Sequence, residues 1–185
     1  MHLPQHILLV VACVIFVGFT VGYVVLFRRP EGTPWPMRVV AVLSGIVTGV
    51  HIAEITDERA SWGSFIAALV LYAISAALYL WAVSTTRRQR LSVAFSADQP
   101  QFLLTAGPYN FVRHPFYTAY LLYWIAGVIA AKELWLIPTV ILMGACFAAA
   151  ALREEAKFAD SPLGADYSAY RRRAGMFLPR LFRPA

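Results

Sequence analysis

The chain has 185 residues, of which 59% are hydrophobic and only 14% charged; its mean hydropathy is +0.61. Soluble domains are typically about 45–50% apolar and about 25% charged, so a water-soluble globular domain is excluded and an integral membrane protein follows. The net charge of +6 would suit a nucleic-acid partner, but the cations stand in short clusters between apolar runs, which is the pattern of membrane topology, and no nucleic acid is expected.

The first apolar run covers about residues 7–27. It is too long for the apolar core of a secretory signal, no Lys or Arg precedes it and no small-residue cleavage site follows, so it reads as a first transmembrane helix. It stops at Arg28-Arg29-Pro30, before a loop holding Gly32, Pro34 and Pro36. A second run, about 37–55, carries His51 and Glu54 on one helical face. Ionisable groups within a span point to function by default, so both are candidates for substrate contact. The rival is an interfacial pair near the helix end, where Asp57, Glu58 and Arg59 bring water close. A third run, 62–83, ends at Arg87-Arg88-Gln89-Arg90. The stretch Leu91 to Thr105 is too polar to span and too apolar for a free linker, and reads as a segment lying at the headgroups. The fourth and fifth runs, 116–131 and 134–152, are separated only by Lys132-Glu133. A polar helical tail with Tyr167, Tyr170 and Arg171-Arg172-Arg173 closes the chain. Cys13 and Cys146 lie inside apolar runs and read as free thiols; no metal-ligand spacing is present.

If the loop after the first helix faces the cytoplasm and the helices alternate, 14 of the 16 Lys and Arg residues lie on that side, leaving Arg59 and Lys132 outside. The positive-inside rule then predicts an all-α protein with five transmembrane helices, N-terminus out, and a helical cap at a cytoplasmic C-terminus. The excess of Arg over Lys, 14 to 2, fits a GC-rich bacterial genome and hence a bacterial inner membrane. Trp35, Trp62, Trp81 and Trp135 fall at helix ends, as aromatic belts do; Trp124 is mid-helix.

Chemistry concentrates in Gly107-Pro108-Tyr109-Asn110-Phe111-Val112-Arg113-His114-Pro115-Phe116-Tyr117. Pro115 suits the first turn of a helix and keeps His114 at its boundary. Arg113 and His114 then crown a helix N-terminus, where the macrodipole and free N–H groups favour an anionic ligand group. The two-residue link makes helices four and five antiparallel neighbours of similar length, so Arg113, His114 and Tyr117 meet Arg153, Glu154 and Glu155. Consecutive helical residues diverge by about 100°, so only one glutamate points squarely inward. Cations facing carboxylates suit a zwitterion such as the amino-acid end of S-adenosylmethionine, with Tyr109 and Tyr117 beside adenine or sulfonium. They also suit a dinucleotide phosphate, or nothing more than an interfacial ion pair.

The run Leu104-Thr105-Ala106-Gly107-Pro108-Tyr109, then Arg113-His114-Pro115-Phe116-Tyr117, a hairpin, Glu154-Glu155, and Gly164, Tyr167 and Tyr170 three apart resembles the isoprenylcysteine carboxyl methyltransferase family, whose C-terminal half the phospholipid methyltransferases share. The resemblance covers about residues 100–180. It implies an integral membrane methyltransferase that binds S-adenosylmethionine, releases S-adenosylhomocysteine and acts on a lipophilic acceptor. The cofactor residues it implies are Gln101, Phe102, Leu103, Leu104, Tyr109, His114, Pro115, Phe116, Tyr117 and Glu154; Arg113 and Glu155 join them as cofactor candidates from the meeting of the two helix ends. Residues 96–185 form the cofactor half; 1–95, matching nothing familiar, would shape the acceptor side. One departure stands out. The eukaryotic enzymes of that family carry a substrate-binding arginine a helical turn before the carboxylates, where this chain reads Ala148-Ala149-Ala150-Ala151. Arg153 is the one arginine nearby, so it joins His51 and Glu54 as a candidate substrate contact, and a carboxyl-bearing prenylcysteine is disfavoured. No catalytic base is assigned. An NADPH-dependent membrane reductase of the sterol-reductase type, which resembles the same C-terminal half, and a non-catalytic membrane scaffold are the other readings.

Overall fold

The computed structural model describes residues 3–28, 32–55, 61–86, 91–92 and 100–180. Its helices are α1 (Leu3–Leu26), α2 (Trp35–Ile55), α3 (Trp62–Thr86), α4 (Pro115–Ala131), α5 (Ile137–Ala159) and α6 (Gly164–Arg173). Four helical segments among the described residues are long and apolar enough to cross a membrane: α1, α2, α3 and Leu134–Ala159, which is α5 with the 3₁₀ turn before it. α4, also apolar, has 17 residues and rises about 25 Å, the lower limit for a span. Four spans are thus established by length, against the expected five. Residues 93–99 of the expected headgroup segment lie outside the described residues, as do Asp57, Glu58 and Arg59.

α4 is short because it is the inner helix. Nine of its 17 residues are buried, against four of 24 in α1. Its neighbours hydrogen-bond across to it: Ser75 Oγ donates to the Ala119 carbonyl at 2.7 Å, Tyr123 Oη to the Ala12 carbonyl at 3.2 Å, and Trp124 Nε1 to Thr48 Oγ1 at 3.1 Å. Trp124, the tryptophan out of place for an aromatic belt, is therefore a buried link between α2 and α4. Trp35, Trp62, Trp81 and Trp135 are all substantially exposed on the helical bundle. The most extensive packing is α3 on α4, and α4 also touches α1, α2 and α5. Apolar side chains on the outer faces, such as Val10, Val14, Val17 and Val21 of α1, remain exposed, as surfaces meant for lipid do.

Two short strands fix the relative direction of the helices. β1 (Phe27–Arg28) directly follows α1 and pairs in parallel with β2 (Leu91–Ser92), which follows α3, in the register Phe27 to Leu91 and Arg28 to Ser92. α1 and α3 therefore end on the same side of the bundle. α4 begins on that side: Gly107, in the 3₁₀ turn Gly107–Asn110 before it, lies against Thr85 at the end of α3. Gly107 has φ +59, and a Cβ there would collide with the Thr85 side chain, so glycine is required both for backbone and for space. α5 runs seven residues beyond the expected end at Leu152, because Glu154, Glu155, Ala156 and Lys157 are good helix formers that carry the helix past the apolar stretch.

Candidate functional site

The site forms where the start of α4, the end of α5 and the cap α6 converge. Pro115 is the first residue of α4 and His114 its N-cap, with φ −125 and ψ 65. The backbone N–H groups of Arg113 and His114 are not free for a ligand. Arg113 N donates to the Gly175 carbonyl at 2.7 Å and His114 N to the Met176 carbonyl at 3.2 Å, while Gly175 N donates back to Phe111 at 3.1 Å. Residues 175–177, just beyond α6, thus form a strap along the loop 111–114, and Thr118 Oγ1 ties it down at the Phe177 carbonyl, 3.0 Å away.

The two glutamates divide. Glu155 is buried, 5% exposed; its Oε1 accepts from Arg113 Nε at 2.9 Å and lies 2.8 Å from Arg113 Nη2, and its Oε2 faces Arg171 Nε at 3.5 Å. Arg113 is 7% exposed and its Nη1 donates to the Ala174 carbonyl at 2.6 Å. Its guanidinium is therefore committed to protein groups on α5 and just beyond α6. Glu154 is 28% exposed and receives the Tyr117 hydroxyl at 2.6 Å. His114 bridges the two: Nδ1 lies 3.4 Å from Glu154 Oε2 and Nε2 lies 3.2 Å from Glu155 Oε1. Burial opposes charge on the imidazole, but the hydrogen bonds and charges of Glu154 and Glu155 outweigh it, so the His114 pKa is raised above 6.5.

Aromatic rings support this set. His114 stacks on Tyr117 with centroids 5.6 Å apart, Tyr117 on Phe147 at 4.9 Å, and Phe147 on Trp124 at 5.8 Å, with interplanar angles of 12°, 6° and 20°. The Phe177 ring meets His114 edge-on at 6.1 Å. Tyr109 is buried beneath. Its carbonyl accepts from Tyr170 Oη at 2.6 Å, yet its own hydroxyl is buried with no hydrogen-bond partner among the described residues. Burial, helped by the charge of Glu154, raises the pKa of that hydroxyl, which keeps it a neutral donor.

Of the residues singled out from sequence, Arg113, His114, Pro115, Tyr117, Glu154, Glu155 and Tyr109 come together. Leu103 packs on the Tyr167, Tyr170 and Ala174 cluster of the cap; Leu104 is half-buried and Gln101 exposed. Arg153 points to the exposed side of α5, and Glu54 is half-buried. His51 is not near water as expected. It is 2% exposed, wedged against Gly127 of α4, and bonded through Nε2 to Thr139 Oγ1 at 2.8 Å. Thr139 Oγ1 itself donates to the Leu136 carbonyl at 2.6 Å, so His51 Nε2 is the donor. Thr139 is about 22 Å along α5 from Glu154, and His51 is no part of the site. The contact of Glu155 with the polar tail at Arg171 is as the offset of about 100° from Glu154 predicts; sequence reasoning missed Phe147 and the strap. Phe147 stands seven residues, two helical turns, before Glu154, a spacing that places both on one face.

A family comparison decides the assignment. The model of the phospholipid methyltransferases matches residues 63–162, more than half the chain. The chain belongs to the phospholipid methyltransferase family. This is a family of membrane methyltransferases acting on lipid-like acceptors, and it shares its C-terminal half with the family the motifs resemble. The match starts with α3, well before residue 100 where the motifs begin. α3 belongs with the matched region because it is the main packing partner of α4. α6 and the strap lie beyond its end. No curated protein matches the chain.

Proposed function

We propose that the protein transfers a methyl group from S-adenosylmethionine to a lipophilic acceptor, at the cytoplasmic face of a bacterial inner membrane. The observation that carries this reading is the pairing of one half-open carboxylate, Glu154, with the buried hydroxyl of Tyr109, which has no hydrogen-bond partner among the described residues. Both fit a small zwitterion. Glu154, held by Tyr117 and His114, offers an acceptor to an ammonium, and Tyr109 supplies a donor whose burial is otherwise costly. The guanidinium of Arg113 and the N–H groups of residues 113 and 114 are turned inward to protein partners. The open polar edge is therefore anionic, which favours an ammonium over the phosphates of NADPH.

When bound, the cofactor supplies a methyl group already activated by its sulfonium. What remains for the protein is alignment and exclusion of water. Tyr117 and His114 hold the Glu154 carboxylate, the stacked rings of Tyr117 and Phe147 close one wall, and α6 with its strap covers the base. A carboxylate or thiolate acceptor needs no base; an amine acceptor must shed a proton. α1 and α2, with the unmatched N-terminal third, would shape the acceptor side, which opens to the bilayer. Thermal melting of the purified protein in detergent tests the cofactor. A ligand at 100 times its dissociation constant stabilises by about 2.7 kcal/mol, so S-adenosylmethionine or S-adenosylhomocysteine should raise the melting temperature and NADPH should not. A response to NADPH alone would replace this reading by the reductase.

A further inference from the structure

We propose that Glu155, paired with Arg113, is a positioning residue: it holds His114 as an imidazolium, and His114 in turn fixes Glu154 for the ligand. The geometry demands two donors on one ring. Nδ1 and Nε2 each face a carboxylate oxygen, at 3.4 and 3.2 Å. A neutral imidazole has one N–H and one lone pair, so on losing its proton it turns a lone pair against one of the two carboxylates. Nε2 has the shorter contact, so Nδ1 gives up its proton and Glu154 loses one of its two side-chain holds, keeping only Tyr117.

The surrounding charge points the same way. Within this set two carboxylates of α5, half-open Glu154 and buried Glu155, face one guanidinium, Arg113, on the loop before α4. An imidazolium brings that set to neutrality, whereas a neutral ring leaves a net negative charge next to buried aromatic walls. α6 contributes Arg171, which lies 3.5 Å from Glu155 but is 58% exposed and so screened. α4 presents Tyr117, the strap presents Phe177, and the turn before α4 presents Tyr109; all are uncharged. Glu155 Oε1 is held by Arg113 and His114, while its Oε2, 3.5 Å from Arg171 Nε, is buried with no hydrogen-bond partner among the described residues.

The assignment of the bound molecule rests on the S-adenosylmethionine reading, but the state of His114 does not, and the test separates them. Protein labelled with ¹⁵N-histidine is titrated by NMR, and the His114 signals are identified by their loss in His114→Gln. The wild-type midpoint should lie above 6.5. In Glu155→Gln, which removes the charge and keeps the shape, it should fall by about one pH unit or more; Glu155→Asp should recover much of that. Affinity for S-adenosylmethionine, measured by calorimetry over the same range, should move with it. With midpoints about one pH unit apart, Glu155→Gln should bind about threefold more weakly than wild type midway between them, and about equally below both. The ligand's own amine titrates identically against both proteins, so only the displacement between them counts. A wild-type midpoint at or below 6.5 overturns the proposal without any variant having to fold. So does a Glu155→Gln protein that loses affinity equally at every pH with its His114 midpoint unmoved. If the midpoint moves as expected and neither protein binds S-adenosylmethionine, the hold of Glu155 on His114 stands and the cofactor reading is what fails.

Discussion

Glu154 and Glu155 are neighbours with the same side chain, yet one is 28% and the other 5% exposed. One meets hydroxyl and imidazole; the other meets two guanidiniums and the same imidazole. Their replacement should therefore separate binding from stability. Glu155→Gln leaves Arg113 buried without its counter-charge, a change that typically costs about 3–5 kcal/mol, and should lower the melting temperature clearly. Glu154→Gln leaves Arg113 and His114 their contacts with Glu155 and should melt closer to wild type than Glu155→Gln, but it removes a charge-assisted contact typically worth about 1.5–3 kcal/mol, and so about tenfold or more in S-adenosylmethionine affinity. Calorimetry and melting on both variants at pH 6 decide this; a Glu155→Gln protein that melts normally but fails to bind would reverse the roles. His114 adds a pH dependence of known sign. Its pKa is raised on folding, so its contribution to stability is complete below about 6.5 and fades as pH rises through the folded value.

At the scale of helices, α4 organises the bundle through close approaches that depend on glycine. A Cβ at Gly127 would run into His51 Nδ1, so Gly127→Ala should cost about 1–3 kcal/mol by overpacking. Because the two sites touch, adding His51→Ala should relieve that cost. A double-mutant cycle on the unfolding free energy should show strong coupling, and strict additivity would mean that the ring moves aside freely. Such contacts mark the limit of what the sequence discloses. The apolar runs, Pro115 as first helical residue and the meeting of the α4 start with the α5 end were all legible, because hydropathy and proline geometry act locally. The division between Glu154 and Glu155 was legible only as an angle of about 100°. The burial of His51 was not, since it depends on Gly127 and Thr139, which lie 76 or more residues away and belong to other helices. The strap was also hidden: residues 174–178 have no periodicity, and their role is to offer carbonyls to Arg113 and His114.

For the whole molecule, the parallel pairing of β1 with β2 puts the ends of α1 and α3 on the side where the site lies. In the orientation we propose from the distribution of Lys and Arg, that side faces the cytoplasm. In a background with Cys13 and Cys146 replaced by Ala, Ser168→Cys on α6 should react with a membrane-impermeant maleimide only after the cells are opened. Lys132→Cys, in the turn between α4 and α5, should react in intact cells. Both positions are exposed. Labelling of position 168 from outside would invert the topology and move the cofactor to the other face.

The strap also sets an order of assembly. The chain is made from its N-terminus, and every apolar helix precedes residue 174. The helices can therefore leave the translocon and pack while the carbonyls of Ala174, Gly175, Met176 and Phe177 are still within the ribosome or just emerging from it. Until they arrive, Arg113 Nη1 lacks the Ala174 carbonyl, the N–H groups of residues 113 and 114 lack theirs, and the Thr118 hydroxyl has only the His114 carbonyl. A nascent chain can thus have every described helix inserted and still be incompetent to hold a ligand, because a segment made after those helices is what braces the start of the innermost one.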